Sequence, residues 1–80
     1  MAAIELDRTD LRILDILQRE GRLTNLELAE RVSLSPSPCL RRVKRLEDAG
    51  VIARYVALLD APSLRLSLLA YLNVKLEKRA

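Results

Sequence analysis

The chain has 80 residues, with 14 Lys and Arg against 11 Asp and Glu, a net charge of +3 and a sequence pI near 9.5. That length allows one small domain, near the size at which a single core is only marginally sufficient. No histidine is present, a single cysteine has no intrachain partner, and only Tyr55 and Tyr71 are aromatic. These counts exclude a zinc set, a thiol–imidazole pair and a base-stacking RNA platform.

Half of the residues are hydrophobic, so the core must be aliphatic, which suits packed short helices. No run approaches the roughly 20 apolar residues of a membrane span, and Met1-Ala2-Ala3 leads into acidic residues rather than a signal sequence. A reducing cytoplasm is the expected location. Charge is unevenly spread. Arg41, Arg42, Lys44 and Arg45 fill four of five consecutive positions, whereas Glu5, Asp7, Asp10 and Asp15 make the first fifteen residues acidic.

Met1 to Glu5 is expected to be a loose tail. Asp7 then offers an N-cap, and Asp10 stands three residues on, where a carboxylate is favourable beside free N–H groups. Leu11, Ile13, Leu14, Ile16 and Leu17 give the first helix, from about Arg8 to Glu20, a broad apolar face, and Gly21 ends it. Thr24-Asn25-Leu26-Glu27 matches the S/T-x-x-E capping box, which starts a second, short helix at about Asn25. Ser33-Leu34 must then be a turn, because Ser35-Pro36 begins the next helix.

Ser35 suits an N-cap, Pro36 the first helical position and Gly50 a left-handed C-cap, so residues 36–49 are expected as a third helix. Spacing at 100° places Cys39, Leu40, Val43 and Leu46 on one side and Ser37, Arg41, Lys44, Arg45 and Asp48 on the other. Cys39 is expected as a small buried packing residue. The basic side faces either an anionic partner or water. A short helix followed at three or four residues by a basic one is the helix-turn-helix pattern, which favours the anionic partner.

Beyond Gly50 the residues become β-branched and aliphatic, which predicts a short strand near Ala53 to Leu58 and a turn at Asp60-Ala61-Pro62. From Leu66 to Lys78 apolar and mixed residues alternate, which predicts a longer strand with one wholly apolar face. Such a strand, with its unpaired edge and apolar face, predicts a partner chain or a missing domain, and for a homodimer residues 66–76 are the expected contact. The fold class expected is mainly α with a small β part. A three-helix helix-turn-helix is followed by a short strand and a longer C-terminal strand.

Leu6-Asp7 with Asp10 and Ile13-Leu14, Gly21-Arg22-Leu23-Thr24-Asn25, and Leu34-Ser35-Pro36-Ser37-Pro38-Cys39 followed by Arg42-Val43, Leu46-Glu47 and Gly50-Val51-Ile52 resemble the Lrp/AsnC family of transcription regulators. The third run is the most specific. The resemblance covers about residues 6 to 60 and implies a helix-turn-helix DNA-binding domain over residues 1–60, acting as a dimer near the nucleoid. It also implies that the helix-turn-helix is of winged type, with the short strand as wing or hinge. Residues 61–80 resemble a hinge and the first strand of a C-terminal effector and oligomerisation domain. An amino-acid effector is implied only where a longer form carries that domain, and no cofactor is implied. Ser33 departs from the family, which commonly has glycine there; serine in a left-handed turn costs about 1 kcal/mol.

For a helix laid in the major groove, Ser37, Pro38 and Arg41 occupy the N-terminal turns that meet base edges. Arg41 is the expected specific contact, because a guanidinium can bond guanine O6 and N7 together. Arg42, Lys44 and Arg45 are expected on phosphate. Ser35, Thr24 and Asn25 stand at helix N-termini and can reach phosphate too, with capping alone as the other reading of Thr24 and Ser35. Arg22 and Arg54 extend the basic surface. The alternative is a protein-interaction module, or a short chain that pairs with full-length family members and modulates them. An enzyme is not expected, since no exposed nucleophile stands beside a base and no Gly-rich phosphate loop is present.

Overall fold

The structure, a computed structural model, describes residues 4–79. Four helices follow one another: α1 (Arg8–Arg19), α2 (Asn25–Arg31), α3 (Pro36–Asp48) and α4 (Ala61–Arg79). The first three start and stop close to where their capping residues place them. The Asp10 N–H donates to Asp7 Oδ1 at 2.8 Å and the Asp7 N–H donates back to Asp10 Oδ2 at 3.2 Å, a reciprocal box at the start of α1. Thr24 and Glu27 make the same box on α2, with bonds of 3.2 and 2.8 Å.

Two helix ends share one geometry. After α3 the Gly50 N–H donates to the Glu47 carbonyl and the Val51 N–H to the Leu46 carbonyl, both at 3.0 Å, with Gly50 at φ +79°. After α2 the Ser33 N–H donates to Glu30 and the Leu34 N–H to Ala29, with Ser33 at φ +57°. Both are Schellman closures, which satisfy the last carbonyls and turn the chain sharply. The second is the turn of the helix-turn-helix, and it folds α3 back across α2.

Ile13, Leu28, Ala29, Val32, Cys39 and Leu46 form the buried core, and Leu6, Leu14, Ile16, Leu17, Leu34, Val43 and Ile52 pack around it. Each of α1, α2 and α3 gives this core one stripe of its surface. Arg31 clamps Glu20 with bonds of 2.7 and 2.9 Å, and Arg12 donates to the Arg31 carbonyl at 3.0 Å. These contacts tie the C-terminal end of α2 to α1. Leu40, grouped by periodicity with the apolar side of α3, is instead 54% exposed. It lies at the margin of the buried arc, about 100° from Cys39.

The two expected strands are not seen. Residues 53–60 run without regular structure, and the segment expected as a strand from Leu66 to Lys78 lies within α4. No strand forms among the described residues. A strand leaves its N–H and C=O groups to a neighbour, and with no second strand to pair, the helix closes those bonds within its own backbone. The homodimer contact expected on a strand 66–76 is corrected accordingly, because those residues are helical here. Helix α4, about 28 Å long, leaves its described large aliphatic side chains uncovered: Leu64, Leu68, Leu69, Leu72, Val74 and Leu76 are all at least 42% exposed. The radius of gyration is 18.2 Å, against about 12 Å for a compact domain of this length. The expected tail of residues 1–5 falls partly outside the described residues.

Candidate nucleic-acid interface

The sequence of α3 decides what its first turn can offer. Prolines stand at its first and third positions, so neither supplies an N–H. An N-cap hydroxyl normally accepts from the second or third residue; Pro38 removes the third donor, and the N–H of the second, Ser37, is not bonded to the Ser35 hydroxyl. Ser35 accordingly takes the N-cap backbone conformation without a side-chain cap bond. The expected hydroxyl cap is therefore absent, and Ser35 and Ser37 both expose their side chains at this end. Asn25 donates from its amide to the Pro36 carbonyl at 2.8 Å, which pins the start of α2 to the start of α3.

The four cations of α3 divide into two pairs. Arg41 and Lys44 are exposed and make no hydrogen bond or ion pair among the described residues. Arg42 and Arg45 reach back to α1. Arg42 Nη1 donates to Asp7 at 2.8 Å and to Asp10 Oδ1 at 2.9 Å, while Arg45 Nη2 donates to Asp10 Oδ2. Asp10 is fully buried, so its charge would be costly without this ring of donors. The Asp10 N–H and the Arg42 guanidinium hold the Asp7 carboxyl below its usual value of 3.8.

Arg45 keeps 45% of its side chain exposed. It stands between two shallow depressions of the α3 surface, one lined by Arg41, Lys44, Arg45, Asp48 and Ala49, the other by Asp7, Pro38, Arg41, Arg42 and Arg45. Ser37, Pro38, Arg41, Lys44 and Arg45 thus share one accessible surface of the helix. Thr24 is exposed at the start of α2 with its hydroxyl engaged in the capping box. Arg22 and Arg54 are exposed on a different depression, beside the end of α1 and residues 55–58.

Sequence patterns did not single out the Asp10 cluster or the clasp made by Tyr55. The Tyr55 hydroxyl donates to Glu47 Oε2 at 2.8 Å, tying the chain after α3 to the last turn of that helix. Burial and the Glu47 carboxylate push the phenol up to about 12. The signal for the Asp10 cluster was present in the charge asymmetry between the acidic first fifteen residues and the basic third helix. Periodicity alone does not say which acid meets which base. Burial also pushes the Cys39 thiol above 9.0, so it stays protonated as a packing group.

A short helix and a basic helix, joined by a left-handed turn and backed by a first helix, define a helix-turn-helix domain. Residues 6–53 match the family model described as winged helix-turn-helix DNA-binding. Leucine-responsive regulatory protein of Rhizobium meliloti is 53% identical over 77 residues, covering 96% of this chain and 49% of that protein. Its counterpart in Escherichia coli K12 is 50% identical over 76 residues, covering 95% and 46%. Among solved structures, a transcriptional regulator from Neisseria meningitidis in complex with L-Met is 63% identical, with a TM-score of 0.73 over 75% of this chain and 39% of that one. The LrpC protein of B. subtilis gives a TM-score of 0.74 at 36% identity, over 76% and 44%.

The chain belongs to the winged helix-turn-helix DNA-binding family, and leucine-responsive regulatory proteins and AsnC-family regulator structures match it over this region. It spans about half the length of the curated relatives it matches.

Proposed function

We propose that the chain binds double-stranded DNA with sequence preference in transcription regulation, with α3 in the major groove. The observation that carries this is the exposure of Ser37, Arg41 and Lys44 on the side of α3 turned away from the core, with both cations uncommitted. A merely solvated charged face needs no such fixed presentation. Here the α2–α3 turn, the Asn25 bond and the α1 ion pairs all hold that face in place.

In this reading Arg41 contacts base edges together with Ser37 and Pro38. Lys44 contacts phosphate. Arg42 and Arg45 do so from positions held by α1, and Ser35, Thr24 and Asn25 line the backbone at the helix starts. Residues 1–60 are the DNA-binding unit, and 61–80 lead toward an effector and oligomerisation domain in a longer form, where an amino-acid effector would bind. So few base contacts discriminate weakly in one copy, so selective binding uses a dimer on half-sites about one helical turn apart. The exposed leucines of α4 are the dimer contact proposed in place of the strand. The setting is the cytoplasm, at the nucleoid; no described helix is long and apolar enough to cross a membrane.

The test is binding to double-stranded DNA over a range of salt concentrations. Lys44→Ala is expected to lower the slope of log K against log salt by about 0.9. Arg41→Ala is expected to remove about 1–3 kcal/mol of preference between sequences. A folded chain with no salt-dependent binding would overturn the proposal, and the apolar surface of α4 would then favour a protein-interaction role.

A further inference from the structure

The cluster around Asp10 joins the scaffold helix to the recognition helix at the two cations that the exposed face shares with the interior. Asp10 is 0% exposed and its side chain has three donors: the Asp7 N–H, Arg42 and Arg45. All three come from groups that survive without it. The Asp7 N–H lies at a helix start, where water can replace the bond, and both arginines are partly exposed and able to turn outward. What Asp10 does is fix where they point and offset part of their charge. Arg45 is the sharper case, since it lines the same surface as Arg41 and Lys44 while its guanidinium is drawn toward α1.

We propose that Asp10 is a positioning residue for DNA recognition: it withholds part of the positive charge of Arg42 and Arg45 from the groove-facing side of α3. This inference rests on the DNA-binding role proposed above. An arginine already paired with a carboxylate attracts phosphate less than a lone one, so the paired form weakens sequence-independent attraction and leaves base contacts a larger share of the affinity. Neutralising Asp10 releases that charge. Asp15, also on α1, pairs with Arg19 of its own helix and makes no ion pair to α3 among the described residues, so neutralising it is expected to leave Arg42 and Arg45 as they are.

Asp10→Asn keeps the size and an acceptor oxygen while removing the charge. On a random-sequence DNA duplex it is expected to bind more tightly than the parent chain, with a steeper slope of log K against log salt, the gain staying below about 0.9 for each arginine because its phosphate contact in the parent chain is already partly made. Asp15→Asn removes one charge with no such release and should stay near the parent slope. Adding Arg45→Gln to Asp10→Asn should return the slope toward the parent value. Equal slopes for Asp10→Asn and Asp15→Asn, with circular dichroism showing both folded, overturn the proposal.

Should Asp10→Asn fail to fold, Asp7→Asn carries the test. Asn is an equally good N-cap, and the substitution frees part of Arg42 alone. A smaller steepening then supports the proposal, and an unchanged slope overturns it. Absence of salt-dependent binding by the parent chain overturns the DNA-binding role itself, whereas parent binding with unaltered variants overturns only the part given to Asp10.

Discussion

Ser33 shows how much a single backbone conformation matters in this domain. Its φ of +57° is the conformation at which a side chain costs about 1–2 kcal/mol, and the α2–α3 turn depends on it. Ser33→Gly is expected to raise stability by about 1 kcal/mol, seen as a higher urea midpoint at unchanged slope; an unchanged midpoint would mean the strain is relieved elsewhere. Acid acts on other single residues. Asp7 is lowered from 3.8 by the Asp10 N–H and Arg42, Glu20 from 4.5 by Arg31, and Glu27 from 4.5 by the Thr24 N–H. A carboxylate with a depressed folded value contributes stability above its unfolded value and loses it as pH falls through the folded one. Stability is therefore expected to decline below about pH 4.5, and the decline should be weaker in Asp7→Asn. An identical acid profile in that variant would remove Asp7 from the account.

At the scale of elements, α3 is held at both ends by different means. Asn25 fixes its start through the Pro36 carbonyl, α1 grips its middle through Asp10, and Tyr55 clasps its last turn through Glu47. The clasp can be followed optically. Tyr55 titrates at about 12 in the folded chain against 10.0 ordinarily, so its contribution is full below pH 10 and is lost as pH rises toward 12. Alkaline titration of tyrosinate absorbance should show one phenol delayed, and Glu47→Gln should bring that phenol back toward its ordinary range. Two phenols titrating together in the parent chain would mean that Tyr55 does not hold Glu47 in solution.

Across the whole molecule, helices α1 to α3 share one core, whereas Leu64, Leu68, Leu69, Leu72 and Leu76 of α4 are exposed. Removing residues 61–80 is expected to leave helices α1 to α3 folded, with urea unfolding little changed, and to reduce self-association measured by sedimentation. Loss of folding in the shortened chain would show that α4 supports the core after all. Persistent dimers would move the contact between copies to the helix-turn-helix itself.

Local chemistry determined the first three helices, since capping boxes, prolines and C-terminal breakers act within a few residues of themselves and are legible wherever they occur. The exposed basic face followed from helical periodicity alone, and Arg41 and Lys44 were legible for that reason. The committed state of Arg42 and Arg45 was not, because their partner Asp10 stands more than thirty residues away and only packing brings the two helices together. Ser35 has the residue type and position of a capping hydroxyl, yet it makes no cap bond in the structure, where Pro38 has removed one of its two possible donors. The C-terminal segment marks the limit most clearly. An alternating apolar pattern specifies a strand only where a neighbour accepts its hydrogen bonds, and among the described residues that neighbour does not exist, so the tertiary structure decided for helix.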